Sequence, residues 1–232
     1  MNTELSSRTK PLALKDWAYQ ILKEDILNFR LPPGTVVRIQ SLSEELNISR
    51  TPIREALLSL EKEGLVHAES RVGFFVTEIT RRDLEELYEL RAVLESYAVQ
   101  TAVPYVTEED LSRLEYEIET CQTAIEHGEL EKFLEADTAF HALLLQRAPN
   151  SRLTVMMEGF RDFTHRIYYL GLDCVEDIRE SLVEHRKILG AIRQRDSQLA
   201  AVLMQDHLHS VMVRLLPCVN LSGQGQKQRP ES

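Results

Sequence analysis

The chain of 232 residues contains only three cysteines, one tryptophan and 6% aromatic residues. Cys121, Cys174 and Cys218 are odd in number and far apart, which excludes a zinc ribbon and a regular disulfide framework. No stretch approaches the ~20 apolar residues of a membrane span, and the N-terminus lacks the apolar core of a signal peptide. These absences favour a protein of the reducing cytoplasm with no membrane partner.

A surplus of positive charge is also missing, which bears on any role at nucleic acids. Lys and Arg number 27 against 37 Asp and Glu, so the formal net charge is −10. Residues 1–78 hold 10 basic and 11 acidic side chains, whereas the remaining 154 residues hold 17 and 26. An acidic protein is repelled by duplex DNA at long range, but the nearly neutral N-terminal third still permits a focused DNA contact.

The segment SRTPIREALLSLEKEGLV predicts a helix with positive charge at its start. Thr51 before Pro52 has the pattern of an N-cap followed by proline, and Gly64 is a plausible stop. The predicted buried stripe is Ile53, Ala56, Leu57 and Leu60. Arg50 and Arg54 stand at the end of the helix where unpaired N–H groups already create positive potential. Because this arrangement costs helix stability, it indicates an anionic partner.

The residues before this helix complete a DNA-binding motif. SLSEELNIS predicts a shorter helix with Leu42 and Leu46 on one side, followed by a turn at Asn47, a residue type that tolerates the left-handed conformation. Two short helices joined by a tight turn form a helix-turn-helix, whose second helix enters the major groove of DNA. The alternative for Arg50 and Arg54 is a solvated face, with Arg54 paired to a nearby glutamate.

A β-hairpin is predicted directly after the second helix. Residues 65–66 and 74–76 are short apolar runs around a polar turn. A hairpin in this place is the wing of a winged helix, and the domain is expected to cover residues 12–78, with a first helix over residues 14–29. The expected DNA contacts are Ser49, Arg50, Thr51, Arg54, Arg71 and Gly73.

From residue 81 onward the sequence predicts helices only. The breaks that divide residues 81–217 into about six helices lie at Pro104, His127–Gly128, Pro149–Asn150, Gly171–Asp173 and Asp196. Because the loops are short, neighbouring helices should pack antiparallel in a bundle. The expected fold class is therefore mostly α: an N-terminal winged helix-turn-helix with a small hairpin wing, followed by a C-terminal antiparallel helical bundle.

The second half of the chain contains a candidate metal site. In EADTAFHALLL, Asp137 and His141 are four residues apart and share one face of a helix. His185 and His207 lie among apolar residues of two other predicted helices. Three imidazoles and one carboxylate can converge on one divalent cation, for which Zn²⁺ or Ni²⁺ is expected, with Mn²⁺ and Fe²⁺ as alternatives. Histidines that only form hydrogen bonds within the bundle would give the same spacing.

The quoted segments resemble those of a known family. SRTPIREALLSLEKEGLV followed by a wing is similar to the GntR superfamily of bacterial transcription regulators. DTAFH, NSRL, ESLVEHRKILGAIRQRD and MQDHL resemble the FCD ligand-binding domain of its FadR-type branch, and the resemblance covers roughly residues 12–216. It implies a dimeric repressor or activator whose helical domain controls operator affinity. It also implies that Asp137, His141, His185 and His207 hold a metal, with a small carboxylate effector beside it.

Three positions depart from the pattern of that family. Gln40 stands where many members carry an arginine just before the first helix of the motif. Val72 stands where many have an arginine before the wing glycine, and Arg71 comes one residue earlier. Asn47 replaces a common turn glycine. The first two changes concern which operator sequence the protein reads.

The expected function is therefore the repression of transcription by a homodimer that binds a double-stranded DNA operator and responds to a small organic acid. The candidate effector-binding residues are Arg91, Arg161, Thr164 and Tyr168. A helical Arg91–Glu95 pair is the alternative for Arg91. Two other functions remain open. One is a metal-dependent hydrolase that uses the same four residues, although the sequence has no HExxH motif and no evident general base. The other is a regulator for which the metal is itself the signal.

Overall fold

The computed structural model describes residues 13–70, 72–171 and 179–222. Arg71, Cys174 and the polar tail from Gly223 lie outside the described residues. The chain divides into two compact units, Met1–Ile79 and Thr80–Ser232. Each helix within the described ranges is too short or too polar to span a lipid bilayer.

The first unit contains helices and a small antiparallel sheet. In chain order its described elements are α1 (Leu14–Leu27), β1 (Val36–Val37), α2 (Ile39–Leu46), α3 (Arg50–Lys62), β2 (Val66–Glu69) and β3 (Gly73–Val76). The strand order is β1-β3-β2, so the predicted hairpin of β2 and β3 is confirmed. β1 is an additional edge strand that was not predicted, because two residues carry no detectable periodicity.

The start of α3 differs from the sequence prediction. Ser49 occupies the N-cap position and the helix begins at Arg50, so the assignment of Thr51 as the N-cap was wrong. Pro52 is then the third residue of the helix. Proline is tolerated there because the N–H groups of the first turn have no partner within the helix.

The two turns that flank the paired helices follow the prediction. Asn47 ends α2 in the left-handed conformation, with φ 51° and ψ 51°. Gly64 follows α3 with φ 73°, and the N–H of Leu65 donates to the C=O of Leu60 at 3.0 Å, as in a Schellman motif. α1 ends at Leu27, two residues before its predicted end.

Burial of the apolar face of α3 holds the first unit together. The predicted stripe of Ile53, Ala56, Leu57 and Leu60 is fully buried. It packs in one cluster with Ala18, Leu22 and Ile26 of α1 and with Val66, Phe74 and Val76 of the sheet. This packing fixes α3 through one face, so that the opposite face and the first turn remain at the surface.

The second unit is a helical bundle, and the fold class is confirmed. Its α-helices within the described residues are α4 (Arg81–Ala102), α5 (Glu108–His127), α6 (Leu130–Arg147), α7 (Ser151–Gly171), α8 (Arg179–Arg193) and α9 (Ser197–Ser222). A 3-10 turn, Val103–Tyr105, follows α4. α9 continues through Pro217, beyond the predicted end of the bundle, although this proline has no N–H to donate to the C=O of Val213.

Polar contacts fix the helix starts and the antiparallel packing of the bundle. Thr80 and Asp83 form a capping box at the start of α4, and Thr107 and Asp110 form another at the start of α5. Arg147, the last residue of α6, donates to Asp110 at 2.7 Å. The end of α6 therefore lies beside the start of α5.

Candidate metal centre and nucleic-acid interface

The four predicted metal ligands come together inside the second unit. Asp137 and His141 lie on α6, His185 on α8 and His207 on α9, and each residue is between 1 and 6% exposed. The ligand atoms of the three histidines lie within 4.8 Å of one another. Asp137 is adjacent to them, with its Oδ1 3.7 Å from Nε2 of His185.

The ring nitrogens show which atoms face the centre of this group. Nε2 of His185 and Nε2 of His207 are 3.2 Å apart. Nδ1 of His141 contacts a carboxylate oxygen, so Nε2 is its remaining donor atom, and that atom is buried without a hydrogen-bond partner among the described residues. Two nitrogens bound to one divalent ion at about 2.1 Å each lie roughly 3.0 Å apart at a right angle and roughly 3.4 Å apart at the tetrahedral angle, and the 3.2 Å between His185 and His207 falls in this range.

Three of the four candidate metal ligands form hydrogen bonds with residues outside the group. Nδ1 of His141 is 2.6 Å from Oε2 of Glu95, and Nδ1 of His207 is 2.7 Å from Oε2 of Glu184. The Tyr168 hydroxyl donates to Oδ2 of Asp137 at 2.9 Å. Sequence reasoning missed both glutamate partners: it considered Glu95 only as a partner of Arg91, and the position of Glu184 on α8 gives no sign of a contact with His207 on α9.

Burial and neighbouring charges shift the pKa values of these side chains. Burial alone would raise the pKa of Glu95, but Arg91 and His141 lower it, to about 2. The hydrogen bonds from His207 and Arg214 likewise outweigh burial and lower the pKa of Glu184 to about 2. Burial lowers the pKa of His185 well below its usual value. Both carboxylates are therefore charged near neutral pH, and His185 is neutral, as a metal ligand must be.

The donor set fits a divalent metal. Two buried ring nitrogens, Nε2 of His141 and Nδ1 of His185, have no hydrogen-bond partner among the described residues, and such orphan atoms are unusual in protein interiors. Coordination would satisfy Nε2 of His141. Neutral imidazoles and one carboxylate suit Zn²⁺, Ni²⁺, Mn²⁺ or Fe²⁺. The residues that would hold the ion are Asp137, His141, His185 and His207, and the ion would supply a positive centre that attracts an anionic ligand.

Two of the four candidate effector residues, Arg91 and Tyr168, lie near each other and beside the predicted metal ligands. Arg91 is buried and forms the Arg91–Glu95 pair that helical spacing allowed, with Nε 2.7 Å from Oε1. Tyr168 is half-buried and contacts Asp137. Arg161 is exposed and Thr164 is half-buried. Within the described ranges, no hydrogen bond or ion pair joins either of the last two to a predicted metal ligand.

The predicted DNA contacts of α3 lie at the surface of the first unit. Ser49, Arg50, Thr51 and Arg54 are all exposed. Among the described residues, neither Arg50 nor Arg54 has a side-chain hydrogen bond or an ion pair, so the alternative of an Arg54–glutamate pair is not realised. Arg38, which sequence reasoning did not select, stands at the N-cap position of α2 and is exposed in the same way. An arginine thus does precede the first helix of the motif, because α2 begins at Ile39 and includes Gln40.

Gly73 has a structural role in the wing that complicates its predicted role as a DNA contact. Its φ is 140°, a conformation that favours glycine, and an added Cβ would come within 3.4 Å of the carbonyl oxygen of Val37. Gly73 begins β3 and pairs with Glu69 of β2. A larger residue at this position would strain the sheet itself, whether or not the wing touches DNA.

Comparison with known proteins identifies relatives of both units. Residues 14–76 match the family model for bacterial regulatory proteins of the gntR family, and residues 86–210 match the model for the FCD domain. The uncharacterized HTH-type transcriptional regulator YdhC of Bacillus subtilis (strain 168) is 33% identical over 183 residues, which cover 78% of this chain and 82% of that protein. The HTH-type transcriptional repressor RspR of Escherichia coli (strain K12) is 29% identical over 193 residues, which cover 83% and 85% of the two chains.

A solved structure with a similar fold supports the same assignment. The structure of E. coli McbR/YncC superposes with a TM-score of 0.71 at 25% sequence identity, covering 88% of this chain and 98% of the other. The FCD model alone matches more than half of this chain. The family resemblance noted from the sequence is therefore confirmed. The chain belongs to the GntR family of bacterial transcriptional regulators, in the group that carries an FCD domain, and not to a class of enzymes.

Proposed function

We propose that this regulator represses transcription as a homodimer on operator DNA, and that a small carboxylate bound beside a divalent metal in the second unit controls its DNA affinity. The observation that carries this proposal is the convergence of Asp137, His141, His185 and His207 at one buried point. Burying four polar side chains at one point lowers the free energy of unfolding unless each has a partner, so the group indicates a binding site.

The number of candidate ligands is compatible with a carboxylate effector. Four protein ligands would leave one or two positions on a five- or six-coordinate metal, and a carboxylate oxygen would be a suitable ligand there. Arg91 is the candidate residue best placed to donate hydrogen bonds to the other groups of the effector. Its Nη1 is buried without a hydrogen-bond partner among the described residues, while its Nε is held by Glu95, which also contacts His141. Arg91 is thus one residue removed from a metal ligand.

The exposed arginines of α3 support sequence-specific DNA binding. Arg50 and Arg54 are free to form bidentate contacts with guanine, each worth ~1–3 kcal/mol against the wrong base. Arg38 belongs to the same proposal, because it is a third exposed cation without a partner in the described part of the motif. Phosphate contacts from the helix starts would add affinity that depends on salt.

An exposed apolar surface of the bundle supports the homodimer. On α4, Leu90, Val93 and Tyr97 are three exposed apolar side chains, with Val93 64% exposed. α9 packs against α4, with Gln198 hydrogen-bonded to Gln100, and it exposes Leu199 and Val202. A self-complementary surface in a two-fold dimer would cover these side chains and would match a palindromic operator.

A binding assay with controlled metal content tests the proposal. The operator is first selected from random DNA by the wild-type protein, and its affinity is then measured for metal-free and zinc-loaded protein. A panel of mono-, di- and hydroxy-carboxylic acids is added in turn. Allosteric coupling of ~1–3 kcal/mol predicts a change of about 5- to 150-fold in affinity with one class of acid, and only in the zinc-loaded protein.

Each component of the proposal has its own contradicting result. A change in DNA affinity on zinc loading that no acid modifies would make the metal itself the signal. An acid response that is equal in metal-free protein would remove the metal from the mechanism. Light scattering that shows a monomer both free and with operator would contradict the homodimer.

A further inference from the structure

Two chains of side chains with the same chemistry end at the candidate metal centre. In the first, Nε of Arg91 donates to Oε1 of Glu95 at 2.7 Å, and Oε2 of Glu95 is 2.6 Å from Nδ1 of His141. In the second, Arg214 donates to both oxygens of Glu184, and Oε2 of Glu184 is 2.7 Å from Nδ1 of His207. We call these the arginine–glutamate–histidine chains.

The direction of the hydrogen bond from each histidine follows from the charge on its glutamate. A carboxylate only accepts hydrogen bonds, so Nδ1 of the imidazole carries the proton and donates it. The lone pair of a neutral ring then lies on Nε2, the atom that faces the centre of the group. Each chain therefore selects the tautomer that can bind a metal, and it fixes the plane of the ring at the same time.

The arginines keep each glutamate in its accepting form. Arg91 and Arg214 each place a permanent positive charge on the far side of the glutamate, and Arg91 is itself fully buried. The two chains are carried by different helices, since the first joins α4 to α6 and the second joins α8 to α9.

His185 provides an internal contrast. Its Nδ1 is buried and has no hydrogen-bond partner among the described residues. Its ring is held instead by stacking on Phe140, with ring centroids 4.3 Å apart and an interplanar angle of 17°. Stacking restrains the ring plane but does not select a tautomer. In His141 and His207 a charged glutamate therefore selects the tautomer that can bind a metal, whereas His185 has no such neighbour among the described residues.

We propose that Glu95 and Glu184 are positioning residues of the metal centre, which hold His141 and His207 as Nδ1–H tautomers and thereby raise the affinity for a divalent metal. This inference rests on the proposed function, in which these histidines bind the metal. Partners of this kind change metal affinity by about 10- to 100-fold in other sites. Glu184 offers the cleaner test, because loss of the buried Glu95 would leave the buried Arg91 without its ion-pair partner.

The test compares two glutamates one turn apart on α8. Glu180 also accepts a hydrogen bond from Arg214, at 3.0 Å, but it contacts no histidine among the described residues. Zinc affinity of the metal-free full-length protein is measured by competition with a chromophoric chelator. Glu184→Leu should weaken zinc binding by about 10- to 100-fold, and Glu184→Gln should weaken it less, because the amide oxygen can still accept from His207. Glu180→Leu should change zinc affinity by less than about 3-fold, since it loses only a partly exposed ion pair.

A spectroscopic measurement separates positioning from a general loss of structure. Ring ¹⁵N chemical shifts of the metal-free protein report which nitrogen of His207 is protonated. We expect Nδ1–H in the wild type, in Glu184→Gln and in Glu180→Leu, and a population of Nε2–H in Glu184→Leu. Wild-type zinc affinity in Glu184→Leu, or an unchanged tautomer there, would overturn the inference while leaving the metal site in place. Absence of binding of Zn²⁺, Ni²⁺, Mn²⁺ and Fe²⁺ to the wild type would instead reject the metal site, and the inference with it.

Discussion

The two units of this regulator use arginine in opposite ways. In the first unit, Arg50 and Arg54 stand exposed at the start of α3 without a side-chain partner among the described residues. In the second unit, Arg91 is 3% exposed and Arg214 is half-buried, and each is bound to a glutamate that holds a histidine. A cation that is left unpaired at a helix start is available to an external anion. A cation that is paired inside a bundle instead contacts a group of its own chain.

The difference in burial between these arginines also predicts which substitutions change the stability of the fold and which change only binding. Removing an exposed, unpaired charge leaves no group buried without its partner, so the fold is expected to tolerate it. Removing one member of a buried pair leaves the other charged and poorly solvated. The same change of one charged residue should therefore alter DNA binding in one unit and folding or metal binding in the other.

The largest effect is expected on breaking the buried pair of α4. Glu95→Leu should lower the free energy of unfolding of the metal-free protein by ~3–5 kcal/mol, because Arg91 then stays buried without its counter-charge. Urea denaturation followed by helical circular dichroism measures the change. The double variant Arg91→Leu/Glu95→Leu should be more stable than Glu95→Leu, since it leaves no lone charge. A double variant that is less stable than the single one would contradict this account.

Loss of a metal ligand should come next. His185→Ala should weaken zinc binding by more than about 100-fold, beyond the effect of losing a residue that only orients a ligand. Elemental analysis after dialysis should find no zinc, and operator binding without effector should persist. His209→Ala is the matched control, because His209 lies on α9 near His207 but is exposed. Full zinc content together with an intact effector response in His185→Ala would rule out the metal-anchored mechanism.

A smaller free-energy change is expected at the first turn of α3, where the proposed DNA contacts lie. Arg54→Ala and Arg50→Ala should each weaken specific operator binding by ~1–3 kcal/mol, about 5- to 150-fold in Kd. The melting temperature should stay close to that of the wild type. Lys62→Ala removes the same charge from the other end of α3, where Lys62 is exposed, and should leave specific binding nearly unchanged. Equal losses of affinity in Arg54→Ala and Lys62→Ala would mean that α3 contributes only nonspecific attraction.

The smallest effect is expected for the Arg147–Asp110 ion pair, in which the aspartate is buried and the arginine is partly exposed. Asp110 is buried, and the hydrogen bonds from Arg147 and Thr107 outweigh burial and lower its pKa. A lowered folded-state pKa contributes stability that is present above the ordinary pKa of 3.8 and is lost as pH falls through the folded-state value. Because Arg147 is partly exposed, Arg147→Met should cost no more than about 1 kcal/mol.

Denaturation of that variant at two pH values measures the effect. The difference in stability between wild type and Arg147→Met should be present at neutral pH and should shrink in the acid range below the ordinary pKa of Asp110. A difference that is independent of pH would show that Arg147 acts through packing of its aliphatic stem and not through its charge.

Local signals in the sequence determined much of the DNA-binding unit. The spacing of Ile53, Ala56, Leu57 and Leu60 predicted the buried face of α3, and Gly64 predicted its end. Both features depend on neighbours within a few residues, so they are readable from the sequence alone. The cap of α3 was misassigned to Thr51 because Ser49 is an equally good cap residue two positions earlier. The choice between them depends on where the turn after Asn47 ends.

The sequence also identified the four candidate metal ligands, but only the tertiary structure revealed what holds them. Three arginines of α4 have a glutamate four residues later: the Arg81–Glu85 and Arg82–Glu86 pairs are exposed, whereas Arg91–Glu95 is buried. The spacing is the same in all three, so the sequence could not distinguish a solvated pair from one that contacts His141. That distinction arises where α6 packs against α4. Burial there excludes water from the Glu95 carboxylate, so its hydrogen-bond partner is His141 of the neighbouring helix and not solvent.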